Sequence, residues 1–476
     1  MNPLTLPQLR DAVGGRAAGF NLRHDHTQVR SVSTDTRMIE PGSVFFALRG
    51  ERFDGHKFLA QAAAGGAVAA VVDTEPDGNL PNLKFIVVDD TRKALGKLAT
   101  FVRRQMGVCK VIGVVGSNGK TSTKHLISAA LSAKLRGSIS PKSFNNDIGV
   151  PLTIFPADPN QDYLVLEMGT NHPGEVRNLT TMARPDVAVI TNCSAEHLEF
   201  LGDVLGVRRE NASVIEGIRP GGLLVVNGDD PELLEAVRGY DGKVVRFGFL
   251  PSNDLFATDI ELHDNGTSFR LNNRSTRVFV PMLGRHSASN ALAALAVARR
   301  FGVNEEDAIA SLAISSKPEM RLQKMDVSHY SLINDAYNAN PASMKAALDT
   351  LVSLEPKGAR GRRIAILGDM RELGPSSDRF HREVGQTLAA LRDEIDYAVC
   401  IGKQSKLMFD DALAHGFPAK RIAAFDDANE QAIAHVLHTV HRGDLILVKA
   451  SRGMRLERVA EAICSKSAAP TMRIAQ

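Results

Sequence analysis

Cysteine is scarce in this chain, and the four present, Cys109, Cys193, Cys400 and Cys464, stand far apart with no CxxC or other metal-ligand spacing. Three of them, Cys109, Cys193 and Cys400, sit in or beside apolar strand-like runs. Buried reduced thiols in a reducing cytosol are therefore expected, not a secreted disulfide framework. Neither charge sign is in excess: 57 Lys+Arg against 54 Asp+Glu leave a net +3. That balance argues against nucleic acid or a membrane surface as partner, while leaving room for local phosphate sites. No apolar stretch is long enough to span a bilayer, and MNPLTLPQLRDAVGG lacks the apolar segment of a signal peptide. Low-complexity tracts and short-period repeats are missing too. A cytoplasmic protein without membrane insertion is expected.

What remains is ordinary globular composition, 43% hydrophobic and 23% charged over 476 residues, long enough for roughly two to four separate cores. Short apolar runs alternate with helical patterns. SVFFAL (43–48), AVAAVV (67–72) and FIVVDD (85–90) come first, followed by a helical stretch from Thr91 to Gly107. VIGVV (111–115), YLVLE (163–167), VAVIT (187–191) and LLVVN (223–227) then read as buried parallel strands in βα units. A helical Ala-rich segment at 287–300 precedes SSKPEM (315–320), whose proline and lack of apolar period mark a boundary. RRIAILG (362–368), YAVCIG (397–402) and LILVKAS (445–451) repeat the theme. The expected fold class is α/β in three domains: an N-terminal domain over 1–107, a central parallel-sheet domain over 108–314, and a C-terminal Rossmann-like domain over 315–476.

The chemistry-bearing residues cluster after the central strands. Gly116-Ser117-Asn118-Gly119-Lys120-Thr121-Ser122 lies between a strand and a helix. There backbone N–H groups and the helix N-terminus face phosphate, the lysine neutralises terminal phosphate charge, and the hydroxyl after it can hold Mg²⁺. The loop is a shortened form, since Val114 stands where the general phosphate-loop pattern has glycine. Glu167 ends the next strand, at the edge of a parallel sheet where ligands gather, and its carboxylate suits a hard cation. Alone, such a glutamate is more often a solvated strand end. TNCSAEHL (191–198) follows a third strand and brings His197 to the same edge. Farther on, Asn334 to Met344 is dense in Asp, Asn and Pro. A turn capping a helix through Asn340 or Ser343 is one reading, and Asp335 as an acceptor for ribose hydroxyls is the sharper one.

Taken in order, GSNGKTSTK, EMGTNHPGEV, TNCSAEHL, HSASNALAALAVA and DAYNANPASMKAAL resemble the motifs of the Mur ligases. SVSTDTRMIEPGSVFFALRG, RFDGHKFLAQAAAGGAVAAVV and SFNNDIGVPLT upstream, with LGDMRELG and VKASRG downstream, extend the resemblance over almost the whole chain. YNANPxSM and LGDMxELG look like the family member that joins D-alanyl-D-alanine to UDP-N-acetylmuramoyl-tripeptide. The member acting one step earlier, which adds diaminopimelate or lysine, typically carries an Asn-Pro-Arg motif, and none occurs here. That earlier ligase, or a nucleotide-binding scaffold without turnover, is the alternative.

The resemblance implies ATP and Mg²⁺ as cofactors, an acyl-phosphate mechanism and a monomer. Gly116 to Ser122 should hold the ATP phosphates, with Thr121, Glu167 and His197 serving the metal and Lys120 the terminal phosphates. Asn290 should meet the adenine region, while Arg321, Asp335, Asn338 and Asn340 should approach ATP from the third domain. Ser33, Asp35 and Arg37, the Asp54-Gly55-His56 turn, and Asn145 with Asn146 should bind the UDP-linked precursor. Lys449, Ser451 and Arg452 are candidates for the dipeptide side, and His381 for the amine's base, against a surface histidine. Closure about a hinge near Ser315 to Pro318 should bring Arg321 and Asp335 onto the nucleotide. Three departures stand out. Many relatives carry a lysine, carbamylated to bind Mg²⁺, where this chain has Arg208-Arg209-Glu210-Asn211, with no lysine between His197 and Lys243. Glu210 or water is expected to fill the gap. Met320 and Ala450 each stand where glycine is usual.

Overall fold

Short buried strands alternating with amphipathic helices build three α/β units, each around its own sheet. The computed structural model describes residues 1–468 apart from 19, 21, 23, 24, 52, 77–79, 81, 328 and 359. The expected C-terminal domain therefore has its last residues outside the described ones.

In the N-terminal unit β1 (Arg16–Ala18), β2 (Ser31–Ser33), β3 (Ser43–Phe46), β4 (Ala69–Val72) and β5 (Lys84–Val87) form a sheet ordered β1-β5-β4-β3-β2. All pairs are parallel except β1 with β5. Every residue of β3 and β4 is buried, as expected of strands covered on both faces. Helix α1 (Thr91–Gln105) is capped by Asp90, whose carboxylate accepts from the N–H groups of Arg92 and Lys93 at 2.9 Å. Its Leu95, Leu98, Ala99 and Val102, spaced along one helical face, share a core with Val111, Val115, Leu164 and Leu166 of the next unit. At about 1.5–3 kcal/mol for each large apolar side chain buried, this face ties the N-terminal unit to the central sheet.

The central sheet has nine strands: β6 (Lys110–Val115), β7 (Gly137–Ile139), β8 (Tyr163–Glu167), β9 (Val187–Ile190), β10 (Leu223–Asn227), β11 (Lys243–Gly248), β12 (Leu255–His263), β13 (Gly266–Leu271) and β14 (Arg277–Val280). They are ordered β7-β8-β6-β9-β10-β11-β12-β13-β14. The sheet is parallel as far as β12, and β13 and β14 then extend it as an antiparallel meander. The sequence reading had no place for the meander. Much of β12 alternates between partly covered and exposed residues, the pattern of a half-covered antiparallel strand and not of a buried parallel one.

In the third unit β15 (Gln323–Val327), β16 (Tyr330–Asp335), β17 (Arg363–Gly368), β18 (Tyr397–Ile401), β19 (Ile422–Phe425) and β20 (Leu445–Lys449) are ordered β15-β16-β20-β17-β18-β19, with β15 alone antiparallel. Two consequences of register position the site. Neighbouring β8, β6 and β9 end together, with Val114 opposite Glu167 and Val115 opposite Ile190. In the third sheet Asp335 ends opposite Lys449. A shared apolar seam joins the two units. Ala195, Leu198, Leu201 and Leu283 of the central unit pack in one core with Leu322, Ala339, Met344 and Leu373 of the third.

Candidate active site

Helix α2 (Lys120–Ser132) starts directly from the phosphate-type loop, and two glycines make the loop possible. Gly116 has φ +125°, and a Cβ there would lie 2.2 Å from Thr191 Oγ1. Gly119 has φ +82°, with Asn290 Oδ1 2.6 Å from where a Cβ would be. No L side chain fits either position without displacing the wall. The TNCS segment after β9 braces the loop. Ser117 N–H donates to the Asn192 carbonyl (2.8 Å) and Asn118 N–H to Asn192 Oδ1 (3.1 Å), while Thr191 Oγ1 donates to the Asn118 carbonyl (2.7 Å). Lys120 Nζ folds back on the Gly116 and Ser117 carbonyls.

Glu167 is almost fully buried below this loop. Its carboxylate accepts from Thr121 Oγ1 at 2.9 Å, Lys124 Nζ at 2.9 Å and Asn145 Nδ2 at 3.3 Å. Burial opposes its charge, but Lys124, Arg321 and Lys120 outweigh it and hold the carboxyl below the usual glutamate range. Burial draws the Lys124 ammonium down, and the Glu167 charge opposes that shift. Lys124, which also donates to the Lys142 carbonyl, is a residue the sequence reading missed. The available signal was its place one turn after Lys120 on α2, hence on the same helical face.

From the third unit, Arg321 reaches across, stacked 4.1 Å over Tyr337 and bonded through Nη2 to Ser143 Oγ (3.4 Å). Asn340 both caps α3 (Pro341–Ser353), accepting from Ser343 N–H at 2.8 Å, and donates from Nδ2 to Asn118 Oδ1 of the phosphate loop at 2.9 Å. One end of the side chain thus caps the helix while the other meets the loop. Asp335 accepts from Leu322 N–H (3.0 Å) and Lys449 Nζ (2.6 Å). Lys449 is fully buried between Asp335 and the Asn338 carbonyl, so it sets Asp335 and is not free on the dipeptide side. His197, at φ +50°, turns Nδ1 to the Glu372 carboxylate of the LGDMRELG segment.

These residues surround a cleft of about 710 Å³ lined by Lys120, Ser122, Glu167, His197, Asn290, Arg321, Asp335 and Asn338. A second cavity of about 390 Å³ shares Glu196 and His197 and adds Arg371, Ser451 and Arg452. The buried Asn290 Nδ2 has no partner, which fits a polar ligand in the cleft. Thr121, Glu167 and His197 offer donors suited to Mg²⁺. Among the described residues no group of three or more His, Cys, Asp or Glu is preassembled for a metal. A cation that keeps its waters and phosphate ligands needs no such cage.

Other expected residues lie elsewhere. Ser33, Asp35 and Arg37 form a local knot in which the Asp35 carboxylate accepts from the Arg37 guanidinium at 2.5–3.1 Å. Asp54, Gly55 and His56 make a second, with His56 Nδ1 on Asp54 (2.8 Å) and His56 Nε2 accepting from Asp73 N–H (3.2 Å). Neither knot lines either cavity, and Arg92 of α1 is what the N-terminal unit contributes to the cleft. Asn145 and Asn146 line the cleft itself. His381 is fully buried on α4 (Ser377–Ala390): Nε2 accepts from Met370 N–H (3.0 Å) and Nδ1 donates to the Ser377 carbonyl (2.7 Å). That corrects both readings of it, since a ring locked at both nitrogens is neither a free base nor a surface residue. Glu210, on the helix Val204–Ala212, is likewise not a cleft residue. Its carboxylate accepts from Thr170 Oγ1 (3.1 Å), Gly174 N–H (2.7 Å) and Val176 N–H (2.8 Å), holding the turn that follows Glu167.

The glycine replacements have different consequences. Ala450 keeps an ordinary backbone, its methyl accommodated because Gly368 opposite has none. Met320 sits at φ +51°, in the left-handed region. Met320→Gly should raise unfolding stability by about 0.5–1 kcal/mol, strain relief exceeding the entropy of glycine. Chemical denaturation checks this, and a lower midpoint would show that methionine packing dominates.

Comparison with known proteins follows the same three units. Residues 28–103 match the model described as Mur ligase family, catalytic domain. Residues 114–298 match the Mur ligase middle domain, and 320–452 the Mur ligase, glutamate ligase domain. The UDP-N-acetylmuramoyl-tripeptide--D-alanyl-D-alanine ligase of Bacillus subtilis is 38% identical, covering 96% of this chain and 97% of its own length. The enzyme of that name from Escherichia coli is 36% identical over 97% and 99%. Among solved structures, MurF from Acinetobacter baumannii superposes with TM-score 0.87 at 32% identity, covering 98% of this chain and 99% of that one. MurF ligase from Thermotoga maritima in complex with ADP gives TM-score 0.80 at 28% identity, covering 92% and 98%.

Proposed function

The chain belongs to the Mur ligase family, and from that premise we propose that it joins D-alanyl-D-alanine to UDP-N-acetylmuramoyl-tripeptide at the expense of ATP, in peptidoglycan precursor synthesis. The observation that carries this reading is convergence. A phosphate loop, a buried glutamate and third-unit residues meet in one cleft, and a cavity with two arginines opens beside it.

A carboxylate and an ammonium do not condense readily in water, so the tripeptide's terminal carboxylate must first gain a leaving group. One of its oxygens attacks the γ-phosphorus of ATP and ADP departs, giving an acyl phosphate. The uncharged amine of the dipeptide then attacks the acyl carbon, and inorganic phosphate and the amine's proton leave. The protein's work is position and charge neutralisation. The loop N–H groups and Lys120 receive the phosphates once Lys120 leaves its own carbonyls. Thr121, Glu167 and His197 would hold Mg²⁺, which would supply neutralisation of charge on the transferred phosphoryl. Asn290 offers its unpartnered amide to the base, Asp335 accepts from ribose hydroxyls, and Arg321 spans to the phosphates from the third unit. Arg371 and Arg452 in the adjoining cavity suit the dipeptide's carboxylate. Ser33, Asp35, Arg37 and the Asp54–His56 turn serve the UDP end of the long precursor, which explains their distance from the cleft. We place the domain boundaries near 107 and 315 and the enzyme, as a monomer, in the cytoplasm. Among the described residues no helix is long and apolar enough to cross a membrane.

Phosphate release from ATP and Mg²⁺ should require both UDP-N-acetylmuramoyl-tripeptide and D-alanyl-D-alanine, with a pentapeptide product by mass. Release only with the dipeptide precursor and diaminopimelate or lysine would move the chain one step earlier. Silence in every combination would favour a scaffold.

A further inference from the structure

Glu196 is 4% exposed and borders both cavities. Among the described residues no N–H or O–H reaches hydrogen-bonding distance of its carboxylate. The basic nitrogen within 4 Å is His197 Nε2, 3.8 Å from Oε2. Its oxygens are not among the fully buried unpartnered atoms, so the carboxylate opens to the cavities, and water or a cation there is what compensates its charge. His197 Nδ1 faces the Glu372 carboxylate, so Nε2 is the ring nitrogen left on the Glu196 side. Oε2 of Glu196 and Nε2 of His197 stand 3.8 Å apart, a separation that two ligands of one cation can take. Oxygen and nitrogen ligands at about 2.0–2.2 Å from a divalent ion lie at most about 4.4 Å apart.

We propose that Glu196, with His197, is a ligand of a divalent cation in the cleft, supplying the second protein carboxylate of the site after Glu167. The assignment rests on the ligase reading given above. Glu372 acts through His197 as a positioning residue: it orients the ring as carboxylates commonly orient metal-bound histidines, and it comes from the third unit, so that docking of that unit completes the ligand pair. The stretch Arg208 to Asn211 leaves this role open. Arg208 pairs with Asp230 (3.0 Å), Glu210 holds the 170–176 turn, Asn211 Nδ2 donates to the Val207 carbonyl (3.0 Å), and none of the four lines either cavity. With no lysine between His197 and Lys243, a glutamate beside the histidine supplies the charge without carbamylation.

The test is Mn²⁺ binding to the full chain, followed by the electron paramagnetic resonance signal of free Mn²⁺, with a non-hydrolysable ATP analogue present. Wild-type protein should bind Mn²⁺ at two sites per chain with or without added bicarbonate. Glu196→Gln should weaken one of them by about tenfold or more, and Glu196→Asp should retain most of the affinity. Circular dichroism of each variant reports its fold, and Glu196→Asp keeps the test decisive should the glutamine variant misfold. Unchanged binding in Glu196→Gln overturns the proposal. A wild-type site that needs bicarbonate overturns it too. Wild-type protein binding no Mn²⁺ beyond that on the free analogue would instead sink the metal-dependent ligase reading itself.

Discussion

Lys120→Ala should lower phosphate release by about 10²–10³-fold while the chain stays folded. The two halves of that expectation have separate causes. Among the described residues Lys120 Nζ hydrogen-bonds to the carbonyls of its own loop, Gly116 and Ser117, and Glu167 keeps Lys124 as its bonded cation, so removal of Lys120 costs little stability. Turnover falls because the ammonium, once it leaves its own carbonyls, meets charge that develops on the transferred phosphoryl, where a positioned cation does what mobile water does poorly. Phosphate release under saturating substrates, with far-UV circular dichroism on the same samples, checks both halves. Precursor binding should survive in the variant, since the residues assigned to the UDP end lie outside the cleft. Undiminished turnover would remove the loop from the mechanism.

Lys124→Met should act in the opposite way, destabilising the fold by about 3–5 kcal/mol, because breaking one side of a buried ion pair strands the other. Glu167 would keep Thr121 and Asn145 as donors but lose the buried ammonium bonded at 2.9 Å. The pH dependence should weaken as well. In the wild type the Glu167 carboxyl is held below its ordinary value, so its contribution is present above the unfolded value of roughly 4.3 and is lost as pH falls through the folded one. Without Lys124 the largest of the charges opposing burial is gone, and with Arg321 and Lys120 remaining the folded value moves back toward the unfolded one. The variant then loses less stability than the wild type as pH falls through that window. Urea unfolding at several pH values distinguishes the two slopes. Lys124→Met combined with Glu167→Gln should recover part of the loss though not the activity, the signature of coupled partners in a double-mutant cycle. An equal loss in the single and double variants would show that the pair is not the source.

Much of this was legible locally. The phosphate loop was readable because its requirements are local: glycines at positive φ, a lysine, and a hydroxyl between a strand and a helix. The strands around it were readable because burial on both faces demands continuous apolar runs, as in YLVLE and VAVIT. The antiparallel meander of β12 to β14 was not, since alternation in a half-covered strand is a weaker signal than an apolar run. Lys124 also escaped notice. A lysine one turn into a helix reads as solvated until the sheet beneath it is known to present a carboxylate.

By itself, then, the sequence determined the family, the three α/β units, the phosphate loop and the strand-end acidic and histidine residues, all of which depend on contiguous residues and short-range periodicity. Tertiary structure alone decided which side chains share a space. It put Asp335 on Lys449 through strand register, Asn340 on Asn118 and His197 on Glu372 through docking of the third unit, and His381 in a locked core position. It also withdrew Glu210 to a backbone turn while leaving Glu196 buried without a donor. Pairings between residues as much as 222 positions apart follow from sheet order and domain packing, which no local pattern encodes.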